Sequence, residues 1–366
     1  MDGVMTFFED LTDPRVERTK LHSLKDIIAL TICAVLSGCN DWEEIEIYGI
    51  SKEAWLRTFL ELPNGIPSHD TINRLFSVLN PHELQECFIK WVQSIAGISN
   101  GNIVSIDGKR LCNAGEKGKK SIIHMVSAWN NANNMVMGQV KTEEKSNEIT
   151  AIPALLNLLI LEGAIVTIDA MGCQKTITKE IIEKGADYVI AVKDNQAHLL
   201  DDIKEAFNQT PAAISETTLE IGHGRIEKRT CKVITDMDWI SKTDGWAKLQ
   251  SIIKVETERT DKQSGEKQTE QRFYISSLIT SPKSLNEIIR SHWGIENKLH
   301  WSLDVTFKED YSTKQAGNAA HNFSTITKIA LNLLKQENSK KRSIKNKRLL
   351  CGWNEDFLAN LLFEQI

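Results

Sequence analysis

No run of about 18 uninterrupted apolar residues occurs in the chain, which excludes a membrane-spanning helix. The N-terminal stretch MDGVMTFFEDLTDPR is acidic and lacks the apolar core of a signal peptide, so a cytoplasmic protein is expected. The seven cysteines, Cys33, Cys39, Cys87, Cys112, Cys173, Cys231 and Cys351, are scattered and contain no CxxC pair. A disulfide framework and a zinc site of the common spacing are thereby excluded. Internal repeats and low-complexity linkers are absent as well. So is a basic excess: the formal net charge is −5, which taken alone counts against a nucleic-acid binder. The charge is uneven, however. Residues 339–348 (SKKRSIKNKR) hold six basic residues and no acid, while acids gather at 41–46 and 143–148. The basic stretch reads either as a solvated face or as a contact for DNA.

What remains is an ordinary globular balance, 41% apolar and 25% charged residues, in a chain long enough for two or three modules. The first 95 or so residues read as helical. Residues 23–36 place Leu24, Ile27, Ile28, Thr31 and Val35 on one face, with Gly38 as a stop, and 81–96 form another amphipathic helix. Between them, IPSHDTINRLF offers Ser68 or Asp70 as the cap of a helix bearing Thr71, Asn73 and Arg74. That segment reads equally as the second half of a helix-turn-helix and as a capped helix in a bundle.

The pattern then turns to strands. Short apolar runs at 102–107, 121–129 and 135–142 precede a helix for which Asn147 is a candidate cap. Strands at 164–169 and 188–193 alternate with helices at 174–184 and 196–207, which gives a mixed α/β sheet with a buried parallel part. Residues 210–280 read as strands of an inserted sheet, Pro282 opens a long helix to about Leu303, and 322–336 is helical again.

Asp107 and Asp169 each close a strongly apolar strand. In parallel α/β sheets functional groups gather at the carboxyl ends of strands. Two carboxylates forced together repel unless a proton or a cation joins them, and hard oxygen ligands suit magnesium or manganese. Glu296 is the candidate third acid: helical spacing gives it a face with His292, Trp293, Leu299, His300 and Leu303. Clustered acids holding two metal ions carry out in-line phosphoryl displacement without a covalent nucleophile. A lone strand-end aspartate is more often a turn former, and it is the combination that points to metal-dependent phosphoryl transfer.

The strings SIDGKR (105–110), TIDAMGCQK (167–175), VKDNQ (192–196), HGRIEKR (223–229) and HWGIENKLHWSLDVTFKED (292–310), in this order, resemble the DDE transposases of the H-repeat-associated insertion-sequence family. DPRVERTKLHSLKDIIALTICAVLSG and IPSHDTINRLFSVL resemble the same proteins, so the likeness runs from about residue 6 to 336. It implies an α/β fold: an RNase-H-like mixed sheet flanked by helices, with a β-rich insertion at about 209–281, inside a catalytic domain over 99–335. A helical domain over 1–98, a candidate binder of DNA ends, would precede it, and a basic helical tail over 336–366 would follow. It also implies Asp107, Asp169 and Glu296 as catalytic metal ligands, two Mg2+ ions for which Mn2+ substitutes, and double-stranded DNA as partner. A homodimer follows from the need to bring two ends together. The wider superfamily often carries tyrosine and arginine before the glutamate and lysine after it. Ile289, His292 and Leu303 stand in those places here, leaving Arg290 and Lys298 for phosphate contacts; Ser312 and Lys314 replace expected arginines.

Further candidates for DNA contact are Lys109 and Arg110 after the first acid, Lys193 and Asn195 at another strand end, and Arg225 and Arg229, which alternation places on one strand face near His223. Solvated loops and surface strands account for such charges equally well. Trp293 and Trp301 are candidates for stacking on a base, with core packing the stronger expectation for Trp293. Two other readings stay open: a catalytically silent or domesticated DNA-binding copy, and a structure-specific nuclease of the same fold. If Glu296 is not the third acid, Asp304 and Glu309 are next.

Overall fold

The computed structural model describes residues 3–111, 123–142, 148–210, 213–222, 224–240 and 245–363. Cys112, Asn147 and His223 lie outside them.

Four helices open the chain: α1 (Leu24–Leu36), α2 (Trp42–Leu56), α3 (His69–Val78) and α4 (Pro81–Ile95). The side chain of Ser23 caps α1 and that of Ser68 caps α3, each accepting an N–H three residues on. Helix α1 is buried on all sides over most of its length, which fits a sequence apolar around its whole circumference and makes it the axis of a bundle rather than a one-faced helix. Residues 57–68 separate α2 from α3, a connection much longer than the turn of about three or four residues in a helix-turn-helix. Ile72, Leu75 and Phe76 turn α3 into the bundle core.

Strands β1 (Ile103–Leu111), β2 (Ile123–Asn130) and β3 (Met135–Lys141) form an antiparallel meander. Helix α5 (Glu148–Leu158), β4 (Ile165–Ile168), α6 (Lys175–Glu183), β5 (Asp187–Val192) and α7 (Ala197–Gln209) follow. β6 (Ile214–Gly222), β7 (Arg225–Ile234), β8 (Ser251–Asp261) and β9 (Lys267–Ser276) are long antiparallel strands. They do not make a separate inserted sheet. β9 pairs antiparallel with β5, so one nine-stranded sheet runs β3-β2-β1-β4-β5-β9-β8-β7-β6. The parallel part is β1-β4-β5, the mixed sheet expected of an RNase-H-like fold.

Apolar side chains of α5, α6 and α7 pack on one face of this sheet. The other face is covered by α8 (Pro282–Gly294), whose Leu285, Ile288 and Ile289 meet Val189, Val233, Ile253 and Val255. Helix α8 continues through a π-helical turn, Ile295–His300, into α9 (Trp301–Val305). Helices α10 (Ala319–Gln336), α11 (Ile344–Trp353) and α12 (Glu355–Phe363) return to the N-terminal bundle and share its core through Ile326, Ile329, Cys351, Leu358 and Leu361.

The C-terminal stretch is thus docked rather than trailing, and two of its cations are internal. Arg348 donates to the Val35 carbonyl at 2.8 Å, and Lys347 donates to the Leu334 carbonyl at 3.0 Å and pairs with Glu337 at 3.1 Å. They satisfy helix-end carbonyls, which takes both residues out of any DNA-contacting face. The described cysteines are unpaired and mostly buried, and no helix of the described residues is long and apolar enough to cross a membrane.

Candidate catalytic site

Strands β1 and β4 run parallel with Ser105 beside Thr167 and Ile106 beside Ile168. Alternation then puts Ser105 and Asp107, and Thr167 and Asp169, on the face covered by α8. A buried polar chain fixes this face: Thr167 donates to Ser105 at 3.1 Å, the Asn131 amide donates to Ser105 at 2.7 Å, and Thr167 meets His292 of α8 at 3.0 Å. β4 stops at Ile168, and Asp169 turns away, its carboxylate accepting the Met171 N–H at 3.0 Å. β1 does not stop at Asp107 as its apolar run suggested. It continues to Leu111 because β2 keeps pairing with it, Asp107 opposite Ser127. Beyond Ile168 the sheet therefore lacks a strand beside β1, and Asp107 borders that notch.

Glu296 reaches the same place from above. Ser281 caps α8 and Pro282 occupies its first turn, after which the helix runs unbroken to Gly294. A Cβ on Gly294 would stand 2.2 Å from Asn131 Oδ1, so the glycine lets the helix end close on the β2–β3 loop. The π-helical turn that follows adds a residue to the helical repeat, a feature frequent at functional sites. Ile295, Leu299 and Leu303 are fully buried, while Glu296 is exposed. This corrects the expected apolar face for Glu296: the widened turn separates it from Leu299 and Leu303. Asp107, Asp169 and Glu296 line one cavity of about 490 Å³, together with Lys193, His292 and Trp293.

Burial, together with the charges of Asp169, Glu296 and Glu148, raises the Asp107 carboxyl to about 7, against the pull of the Gly108 N–H it accepts. Among the described residues no lysine or arginine pairs with Asp107, Asp169 or Glu296. The His300 ring lies 3.6 Å from Asp107, but burial, with help from Lys328 and Lys109, lowers it to about 4, so it is neutral near pH 7. Three unpaired carboxylates around one cavity suit a hard divalent cation by donor chemistry. Among the described residues no three acids, histidines or cysteines already stand close enough to grip one ion, so such an ion would have to draw them together.

The other expected residues divide. Lys109 is not a phosphate clamp. Its ammonium is held by Asp304 at 2.6 Å and Asp310 at 2.8 Å, with Glu309 at 3.7 Å. Glu309 is itself buried between Lys109 and Lys328. Asp304 and Glu309 thus serve this ion cluster and do not line the cavity, which removes them as alternative third acids. Arg110 is exposed on β1 opposite His124. Lys193 lines the cavity, whereas Asn195 donates to the Ala170 carbonyl at 2.8 Å and braces the loop behind Asp169. Lys314 is buried, donating to the Asn40 carbonyl at 2.5 Å and lying 3.8 Å from the Phe323 ring centre. Ser312 is half-buried.

Arg225, Arg229, Arg290 and Lys298 do come together. They line an open groove of about 830 Å³ between β6–β8 and α8, with Arg259, which the sequence reading missed. Several are already paired: Arg290 with Glu220, and Arg229 and Arg259 with Glu227 at 3.0 and 3.1 Å. Trp293 borders both this groove and the acidic cavity, and Arg272 stacks on it at 5.3 Å. At 36% exposure Trp293 is not a core residue, contrary to expectation, because the widened turn follows directly and leaves its ring over the opening. Trp301 is exposed too. The missed polar supports, Ser105 and Thr167, stand two residues before each aspartate, a period-two signal present in the sequence.

The mixed sheet flanked by helices is of the RNase-H-like class, and on it Asp107, Asp169 and Glu296 face one cavity. The comparisons narrow the class. The profile of the transposase DDE domain matches residues 98–333, and that of the DDE_Tnp_1-associated region matches residues 5–92. The chain belongs to the DDE transposase family. It is 40% identical to the putative transposase YncI of Escherichia coli O157:H7, with 99% of this chain and 95% of that protein covered. It is 39% identical to the H repeat-associated putative transposase YhhI of Escherichia coli K12, with 93% and 92% covered. A third relative, YbfQ of the same strain, is named an inactive transposase; it is 49% identical, over 16% of this chain and 68% of its own length.

Proposed function

We propose that the protein cleaves the DNA ends of its own insertion element and joins them to a target, using divalent metal held by Asp107, Asp169 and Glu296. The observation that carries this reading is that the three acids converge on one cavity without a basic partner. Magnesium, for which manganese substitutes, would supply the activation of the attacking oxygen and the stabilisation of the leaving oxygen, with two ions expected. The chain's own residues do the rest. His292, tied to Thr167, holds α8 over the aspartates. Asn195 fixes the loop that aims Asp169. Arg225, Arg229, Arg259, Arg290 and Lys298 form a groove for the backbone of double-stranded DNA that opens beside the acids at Trp293. Two element ends must meet, so the working form is a homodimer on DNA, in the cytoplasm.

The test is cleavage and joining of a labelled fragment bearing the gene's flanking ends, in magnesium. Each of Asp107→Asn, Asp169→Asn and Glu296→Gln is expected to lower the rate by about a hundredfold or more while DNA binding persists. Binding without cleavage by the unaltered protein, in magnesium and in manganese, would instead favour a silent copy. That reading has some support in the relative named inactive. Cleavage without end preference or joining would favour a structure-specific nuclease.

A further inference from the structure

The acids named so far approach the notch beside β1 from the α8 face and from the loop after β4. A fourth comes from the other face. Glu148 opens α5, which packs on the opposite side of the sheet, and its carboxylate lies against Gly108, the residue after Asp107. A Cβ on Gly108 would stand 2.0 Å from Glu148 Oε1 and 2.4 Å from the carboxyl carbon, so glycine is what admits the acid at this point of β1. Gly108 has an ordinary negative φ, so the space, not the backbone conformation, requires glycine here.

Glu148 is half-buried and, among the described residues, meets no lysine or arginine. Its charge acts on Asp107, and that of Asp169 acts on it. A position in the first turn of a helix favours a carboxylate through the helix dipole. That effect is available anywhere on the first turn, and it does not account for a carboxylate seated on Gly108, the residue next to Asp107. A cation at the notch does account for it.

We propose that Glu148 is a fourth acid of the catalytic centre, seated on Gly108 so that it helps hold the divalent ion beside Asp107. The proposal rests on the assignment of Asp107, Asp169 and Glu296 above, and the experiment separates the two. Mn2+ binding to the full-length protein without DNA is titrated by the electron paramagnetic resonance signal of the free ion, and thermal unfolding without metal is followed on the same samples. Glu148→Gln is expected to weaken Mn2+ binding about tenfold or more, with metal-free unfolding unchanged or shifted upward. Gly108→Ala, which pushes the carboxylate off its seat, is expected to weaken Mn2+ binding in the same direction with Glu148 intact. If Glu148→Gln binds Mn2+ within about twofold of the unaltered protein while Asp107→Asn loses it, Glu148 only stabilises its helix and this proposal falls alone. If Asp107→Asn keeps Mn2+ affinity as well, the assignment of the three acids falls and takes this one with it.

Discussion

A carboxyl group buried among other carboxylates resists losing its proton, and Asp107 is held so, at about 7 against an ordinary 3.8. In the unfolded chain the proton leaves near the ordinary value; in the folded metal-free protein it stays until about neutrality. Between these pH values the unfolded state binds fewer protons, so stability falls as pH rises. The penalty is absent below about pH 4 and complete above about pH 7, and at most about 4 kcal/mol for a shift of this size. His300, Glu148, Asp169 and Glu296 face the same group, so the comparison has to be with Asp107→Asn. Urea unfolding without metal should show the unaltered protein losing more stability than Asp107→Asn between pH 4 and 7, and saturating magnesium should remove the difference. Equal pH profiles would mean that neither burial nor the neighbouring acids raise the Asp107 carboxyl. Asp107, Asp169 and Glu296 stand out in the sequence because two follow strongly apolar runs and the third sits in a motif with family likeness, and the fold brings all three to one cavity. The pairing of Lys109, the exposure of Trp293 and the seat of Glu148 were misjudged or missed because they depend on neighbours distant in sequence: Asp304 and Asp310, the widened helical turn, and Gly108.

Elements were readable where their signal is local. The alternating strands of residues 210–280, the capped helix at Ser68 and the long helix from Pro282 follow from periodicity and capping. The pairing of β9 with β5 is a long-range contact between segments separated by three other strands, so no local pattern announces that the insertion extends the central sheet. The π-helical turn was equally hidden, since the sequence there keeps an apolar spacing compatible with an ordinary helix. The ion cluster of Lys109 ties β1 to α9 through Asp304 and to the segment after it through Asp310. The Lys109 side chain is 9% exposed and that of Glu309 is 6% exposed. Burial opposes the Lys109 charge, but Glu309, Asp304 and Asp310 more than offset it and hold its titration above the ordinary range. Removing the cation leaves buried Glu309 with Lys328 at 3.7 Å, while Asp304 and Asp310 are 35% and 36% exposed, so the loss should fall at or below the low end of the about 3–5 kcal/mol for a buried pair that loses one partner. In urea unfolding at pH 7, Lys109→Met should therefore lose up to about 3 kcal/mol of stability, seen as a lower midpoint at unchanged slope. A midpoint equal to that of the unaltered protein would show that the cluster contributes no net stability.

At the scale of the whole molecule, the net charge of −5 repels DNA on average, and binding has to come from where the positive charge is placed. The groove beside Trp293 concentrates arginines that the sequence scatters over β7, β8 and α8, and it pairs most of them with Glu220 and Glu227. The C-terminal basic stretch, the most visible cationic feature of the sequence, contributes less because Lys347 and Arg348 are spent inside the fold. Each phosphate contact releases counterions, so the logarithm of affinity should fall with the logarithm of salt concentration by about 0.9 per contact. Arg225 makes no ion pair among the described residues, and Arg225→Ala should reduce that slope by about one contact. Arg290 is different: its guanidinium neutralises Glu220 in the free protein, and truncating it leaves that carboxylate bare in the groove. Arg290→Ala should therefore weaken DNA binding more than Arg225→Ala does, and adding Glu220→Gln should recover part of the loss. Fluorescence anisotropy of labelled DNA across a salt series measures all three. An unchanged slope in Arg225→Ala and Arg290→Ala would place the DNA path elsewhere on the molecule, because a groove that carries phosphates cannot lose two of its cations without changing the number of counterions released.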